Sequence, residues 1–176
     1  MPAPKPNRVL SGRSVRELTD YKESIRSELT VDVYSLSGDK FIVAPLDGKC
    51  GACVQWREVT VLPFDVEDDV LGCCICDNLL WNIPSVPTNR GQSTNLVWPV
   101  LKASGCKAMK HFEQTAIRTS VSTINTAFRI ETRPVHTLDR IYIGAGLPLG
   151  ALHMEIAAEI RNTLKATTVL QTANLI

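Results

Sequence analysis

Apolar and polar positions along this chain switch between two periods. Leu18, Tyr21, Ile25 and Leu29 recur at helical spacing behind Ser14-Val15-Arg16-Glu17. In that capping-box pattern the serine and glutamate satisfy free helix N–H groups reciprocally, so the spacing predicts a helix over 15–29. Thr30 to Leu36 is rich in β-branched and aromatic residues, Ser37-Gly38-Asp39-Lys40 is a turn signal, and Phe41 to Ala44 resumes the strand pattern. Together these predict a β-hairpin closed by Pro45 and Gly48. Val54, Trp56 and the run Val59 to Leu62 read as a further strand broken at Pro63. A helix is expected from the acidic residues at 65–69 through Leu71, Cys74, Ile75 and Leu79 to about Trp81.

Residues 82–95 carry Pro84, Pro87 and Gly91 among Asn, Ser and Thr, and read as a long exposed loop. The stretch from Trp98 to Arg133 follows. Trp98-Pro99 opens it, Ser104-Gly105 punctuates it, and a short helical turn carries Phe112. Ala116, Ile117, Val121 and Ile124 mark one strand, and Ala127, Phe128 and Ile130 the next, with Asn125-Thr126 as their turn. Arg140 to Ile143 reads as another strand. Leu152, Ile156, Ile160 and Leu164, spaced by four, predict a helix over 149–164, and the last ten residues read as a tail or short edge strand. Leu71-Gly72 and Leu149-Gly150 open their helices alike, which suggests close backbone approach at the glycines.

These elements make an α+β fold, with a mostly antiparallel sheet of five to six strands and two to three packed helices. Residues 1–13, proline-rich and basic, are expected to be a flexible tail, and residues 14–176 a single domain. The chain has 176 residues, enough to bury a core without staples. A net charge of +1 supplies no global field to recruit nucleic acid or an anionic membrane. No apolar run approaches the ~18 residues of a membrane span. The N-terminus lacks the apolar segment of a secretory signal, so the expected location is the cytoplasm, with the cysteines reduced.

The sharpest chemical motif is Cys50-Gly-Ala-Cys53 followed by Cys73-Cys-Ile-Cys76. Four thiolates from two CxxC pairs are a zinc pattern, and would make a zinc-binding nucleic-acid module. Against this, Cys73 and Cys76 fall within an apolar helix, where cysteine serves as a small hydrophobe. Gly144-Ala-Gly-Leu-Pro-Leu-Gly150 follows a strand and opens a helix as a dinucleotide loop would, but Pro148 removes an N–H that could hold phosphate, and a plain strand-to-helix turn is favoured. Cys106 and His111 are the one nucleophile–base pairing on offer, and core or surface roles are commoner for both. Lys102, Lys107, Lys110, Arg118, Arg129 and Arg133 make the central stretch basic, with too few aromatics for a base-stacking platform.

From Trp98 onward the chain resembles the immunity proteins of bacterial contact-dependent growth inhibition systems. The residues that carry the resemblance are Trp98-Pro99, Ser104-Gly105, Lys107, Lys110 and Phe112-Glu113, flanked by Leu71-Gly72 and Leu149-Gly150. Their order, spanning residues 30–165, is the substance of the match. The resemblance implies a protein without catalytic activity or cofactor. It would bind the C-terminal toxin domain of a secreted effector as a 1:1 heterodimer and occlude its active or substrate-binding site, with no direct contact to nucleic acid or membrane. Toxins of such systems are often nucleases, including nucleases of tRNA. The four-cysteine pattern is not a feature of that family. Because many nuclease sites are basic, the expected docking face is the acidic helix start with the loop after it, at Asp65, Glu67, Asp68, Asp69, Asn89 and Arg90.

Overall fold

The computed structural model describes residues 29–36, 38–46, 59–80, 98–124, 127–136 and 141–176. Among these, six strands form one antiparallel sheet in the order β3-β2-β1-β4-β5-β6. The strands are β1 (Thr30–Leu36), β2 (Lys40–Pro45), β3 (Thr60–Pro63), β4 (Ala116–Ile124), β5 (Ala127–Pro134) and β6 (Ile143–Pro148). Four helices accompany them: α1 (Asp68–Leu80), α2 (Pro99–Ser104), α3 (Met109–Thr115) and α4 (His153–Thr172). The β1–β2 hairpin turns where expected. Gly38 takes φ +73°, a left-handed conformation that costs glycine little, and the Asp39 N–H donates to the Leu36 carbonyl at 2.8 Å.

Side chains alternate across the sheet, so each strand serves two different environments. Val31, Val33, Phe41, Val43, Val121, Phe128 and Ile130 all point to one face, where they meet Leu71, Ile75 and Leu79 of α1 and Ile156 and Ile160 of α4. This main core contains a polar string. Thr119 of β4, Thr132 of β5 and Thr163 of α4 are buried, with hydroxyl contacts of 2.9 Å (119 to 132) and 2.8 Å (132 to 163). Thr163 then donates to the Ile160 carbonyl at 3.0 Å. One proton per hydroxyl runs the string in one direction, from Thr119 to the helix backbone, so each of these three hydroxyls has an acceptor.

The opposite face is divided. Over β1 and β2 it is apolar: Tyr34, Leu36, Ile42 and Ala44 join Ala116, Val100 of α2 and Phe112 of α3 in a second, smaller cluster. Pro99 opens α2, and Gly105, at φ +77°, closes it with its N–H on the Lys102 carbonyl. Over the remainder of β4 and over β5 and β6 the same face is polar, and no helix among the described residues covers it.

Two expectations need correction. The strand expected at Arg140–Ile143 is displaced: β6 runs over Ile143–Pro148, through the glycines read as a strand-to-helix turn. Ala145 and Leu147 pack on the core while Gly144 and Gly146 face outward, an alternation thinned by residues of poor strand propensity. The dinucleotide-loop geometry is therefore absent at these residues. Second, α4 continues past Leu164 to Thr172, so the last ten residues are mostly helix and not a tail or edge strand. Its threonines return their hydroxyls to the helix backbone, Thr167, Thr168 and Thr172 donating to carbonyls four residues back at 2.8, 3.0 and 2.9 Å. The fold class is as expected, α+β with a six-stranded antiparallel sheet, and four helices accompany it among the described residues, Ser104-Gly105 dividing α2 from α3. The tail at 1–13, the helix at 15–29 except its last residue Leu29, Trp56, the loop at 82–95 and the Asn125-Thr126 turn lie outside the described residues.

Candidate functional site

Among the described residues, two surfaces carry organised polar chemistry. The first is the open half of the sheet. The register lines up Asp32, Ser120, Glu131 and Gly144 in one row across four strands, and Tyr34, Arg118 and Arg133 in the next. A cavity of about 290 Å³ opens between Arg118, Ser120, Arg129, Glu131, Arg133 and Tyr142. Gly144 leaves the outer face free for the Tyr142 ring, which a Cβ there would meet at 3.3 Å. Tyr142 accepts a hydrogen bond from Arg129 at 3.3 Å, and Arg129 is also paired with Glu131. The basic residues read as a solvated sheet face are thus partly that, but three of them converge on one concavity. The β4–β5 register sets Arg118 opposite Arg133, and the β1–β4 register brings Asp32 and Tyr34 beside them from the far end of the chain.

Asp32 forms the floor beside this cavity and is 3% exposed. Ser120 donates to it at 2.5 Å and Tyr34 at 3.2 Å, and Arg118 stands 3.9 Å away. Burial outweighs these contacts and lifts the carboxyl above its usual range, with Arg118 the largest opposing influence. An acid whose folded pKa is raised holds its proton longer in the native state than in the unfolded one. Stability from this group therefore falls as pH climbs from about 4 through the raised value. Asp32→Asn should remove that limb: in urea titrations at stepped pH, the variant gains stability relative to wild type as pH rises toward neutral. An unchanged difference across that range would count against a raised pKa.

The second surface is the acidic start of α1. Asp65, Glu67 and Asp69 are exposed and Asp68 is half-buried. Two of the four already have partners. Arg161 of α4 reaches Asp68 at 2.6 Å and the Phe64 carbonyl at 2.9 Å, and bonds the Val66 carbonyl as well. Its guanidinium also lies over the stacked rings of Phe41 and Phe64, 5.3 and 5.7 Å from their centroids. Arg161 thereby fastens the turn that feeds α1 onto α4, a role with no signature in the sequence because two of its partners are backbone carbonyls and the Asp68 carboxylate lies 93 positions away. Asp69 meets His153 Nε2 at 2.5 Å, at the first residue of α4. Asp65 and Glu67 are left as the outward-facing acids, and Asn89 and Arg90 lie outside the described residues.

The cysteines divide by direction. Cys74 and Cys76 pack into the main core, and burial pushes both thiols up to about 12. Cys76 behaves as the small hydrophobe that the apolar helix pattern suggested, while Cys73 sits toward the start of α4. Cys50 and Cys53 fall outside the described residues. Cys106 is half-buried against the second cluster and His111 is exposed, so their visible roles are packing and solvation.

No family model and no curated protein matches the sequence. Solved structures share its fold. A protein of unknown function from Neisseria meningitidis is 15% identical, with a TM-score of 0.59 over 80% of this chain and 95% of that one. A chain of a CdiA-CT/CdiI toxin and immunity complex from Yersinia pseudotuberculosis is 14% identical, with a TM-score of 0.56 over 79% of this chain and 97% of that one. At these identities the likeness is one of fold. Among the described residues no helix is long and apolar enough to cross a membrane.

Proposed function

We propose that this chain is an immunity protein that binds and neutralises a cognate toxin domain, with no catalysis of its own. The observation that carries the reading is the fold shared with a chain of a toxin and immunity complex. It agrees with the independent resemblance of Trp98-Pro99, Ser104-Gly105 and Phe112-Glu113 to contact-dependent growth inhibition immunity proteins. The toxin is a nuclease acting in the cytoplasm, and the complex is a 1:1 heterodimer that occludes the toxin's active or substrate-binding site. The docking face is the acidic corner at Asp65, Glu67, Asp68 and Asp69, with Asn89 and Arg90. Exposed acids there complement the basic groove of a nuclease and speed encounter.

The open sheet face is a second possible docking surface, favoured by the arginine-lined cavity. Co-expression with the toxin domain encoded immediately upstream tests both. Gel filtration should show a 1:1 complex, and cells should survive toxin expression; absence of complex together with absence of protection overturns the reading. Within it, Asp65→Lys with Glu67→Lys should weaken binding at least about tenfold, and Arg118→Glu with Arg133→Glu should not. The reverse result moves docking to the sheet.

A further inference from the structure

The junction of the two long helices gathers three metal-ligating side chains that neither the fold likeness nor the four-cysteine pattern assigns. Asp69 and Cys73 stand one turn apart on α1, so they share a face of that helix. The first residue of α4 brings His153 over the same face. One donor atom from each, a carboxylate oxygen, the Cys73 sulfur and an imidazole nitrogen, lies within 4.8 Å of the other two. Gly72 makes this possible: a Cβ at that position would lie 1.9 Å from the His153 carbonyl oxygen, so only glycine lets the helices meet here.

We propose that Asp69, Cys73 and His153 form a binding site for a single zinc ion. The donor set fits the metal. Thiolate, imidazole and carboxylate are its ordinary ligands, at about 2.0–2.3 Å, and a mixed set with a thiolate excludes magnesium and calcium. Ligand atoms around a tetrahedral ion lie about 3.3–3.8 Å apart at those bond lengths. Binding would require the Asp69–His153 contact to open from 2.5 Å and separations that now lie within 4.8 Å to settle into that range. The Cys73 thiol releases its proton to solvent as the metal–sulfur bond forms. His153 then no longer donates an Nε2–H to Asp69: the Nε2 lone pair goes to the ion, and the ring keeps its proton on Nδ1.

Burial is graded across the site. Cys73 is 3% exposed, the His153 side chain 18% and the Asp69 side chain 59%. The sulfur side is thus closed by protein and the carboxylate side faces solvent, leaving the fourth position to water. Three protein ligands with one open position is the arrangement of accessible zinc sites. It differs from the CxxC pairing in using Cys73 alone of the four cysteines. The ion would also cross-link α1 to α4, adding to their packing and to the Asp69–His153 and Asp68–Arg161 contacts.

Cobalt(II) replaces zinc spectroscopically and tests the proposal on the free protein, without any toxin. Metal-free, reduced protein titrated with cobalt(II) should give a thiolate-to-cobalt charge-transfer band saturating at one ion per chain, and zinc should bleach it. Cys73→Ser should abolish the band, and His153→Gln should weaken cobalt binding at least about tenfold, with far-UV circular dichroism unchanged in both. Cys50→Ser with Cys53→Ser should leave the band intact. No band in the wild type, a band that survives Cys73→Ser, or a band lost in the Cys50/Cys53 double variant would each overturn the site.

Discussion

Gly72→Ala is expected to destabilise the protein by about 2 kcal/mol or more, in spite of placing a better helix former inside α1. Alanine is favoured over glycine in a helix interior by roughly 1 kcal/mol. Set against this is a Cβ built 1.9 Å from the His153 carbonyl oxygen and 2.3 Å from its carbon. Neither atom belongs to a side chain that can swing away. Relief requires one helix to move about 1 Å off the other along a seam that includes Leu71, Ile75, Ile156 and Ile160, all fully buried. Overpacking of this kind costs about 1–3 kcal/mol and occasionally more, and a clash with backbone belongs at the upper end. Gly150 is the internal control. A Cβ there meets nothing within 4 Å, so Gly150→Ala should stay within about 0.5 kcal/mol of wild type. Urea midpoints of the two variants decide the matter. Equal midpoints would mean that the helices are not held at this spacing.

That pair of glycines shows what the sequence could and could not disclose. Two Leu-Gly helix openings suggested close backbone approach at both, but the constraint holds only at Gly72. Whether a glycine faces a neighbouring backbone depends on helix rotation about a tertiary partner, and local pattern carries no such information. The elements with strong periodicity, β1, β2, α1, β4 and β5, were legible because their apolar residues alternate or recur against an unbroken background. β6 was displaced because half its residues are glycine or proline, so its two core positions, Ala145 and Leu147, stand out weakly. The end of α4 was hidden by threonines whose hydroxyls turn back on the helix. Charged residues were legible as charges but not as partners. Arg118 and Arg133 meet Asp32 only through the β1–β4–β5 register, and Arg161 meets Asp68 across 93 positions. Cys73 was visible as part of a CxxC. Its proximity to His153 depends on α4 docking, which is a property of the fold.

Phe112→Ala should cost about 3–5 kcal/mol, the range for emptying a buried aromatic site, and should act first on one side of the sheet. Phe112 is fully buried, and its ring stands 5.2 Å from Trp98 and 5.6 Å from Tyr34. Tyr34 and Trp98 are themselves 5.7 Å apart, edge to face, so the three rings form a closed triangle. The helices that deliver two of them are short: α2 has six residues and α3 seven. Helices of that length do not persist on their own, so their order derives from the rings. Removing the middle ring should loosen residues 98–115 before the main core yields. Hydrogen exchange checks this: amides of α2 and α3 should lose protection at denaturant concentrations that leave β4 and α4 protected. Simultaneous loss everywhere would mean that both clusters form one cooperative unit. The triangle also borders the polar half of the face, because the Tyr34 hydroxyl donates to Asp32. A loosened Tyr34 would admit water to that carboxyl and lower its pKa toward the ordinary value, so Phe112→Ala should also flatten the pH dependence attributed to Asp32. A pH profile identical in slope to wild type would separate the aromatic cluster from the arginine-lined cavity that Asp32 borders.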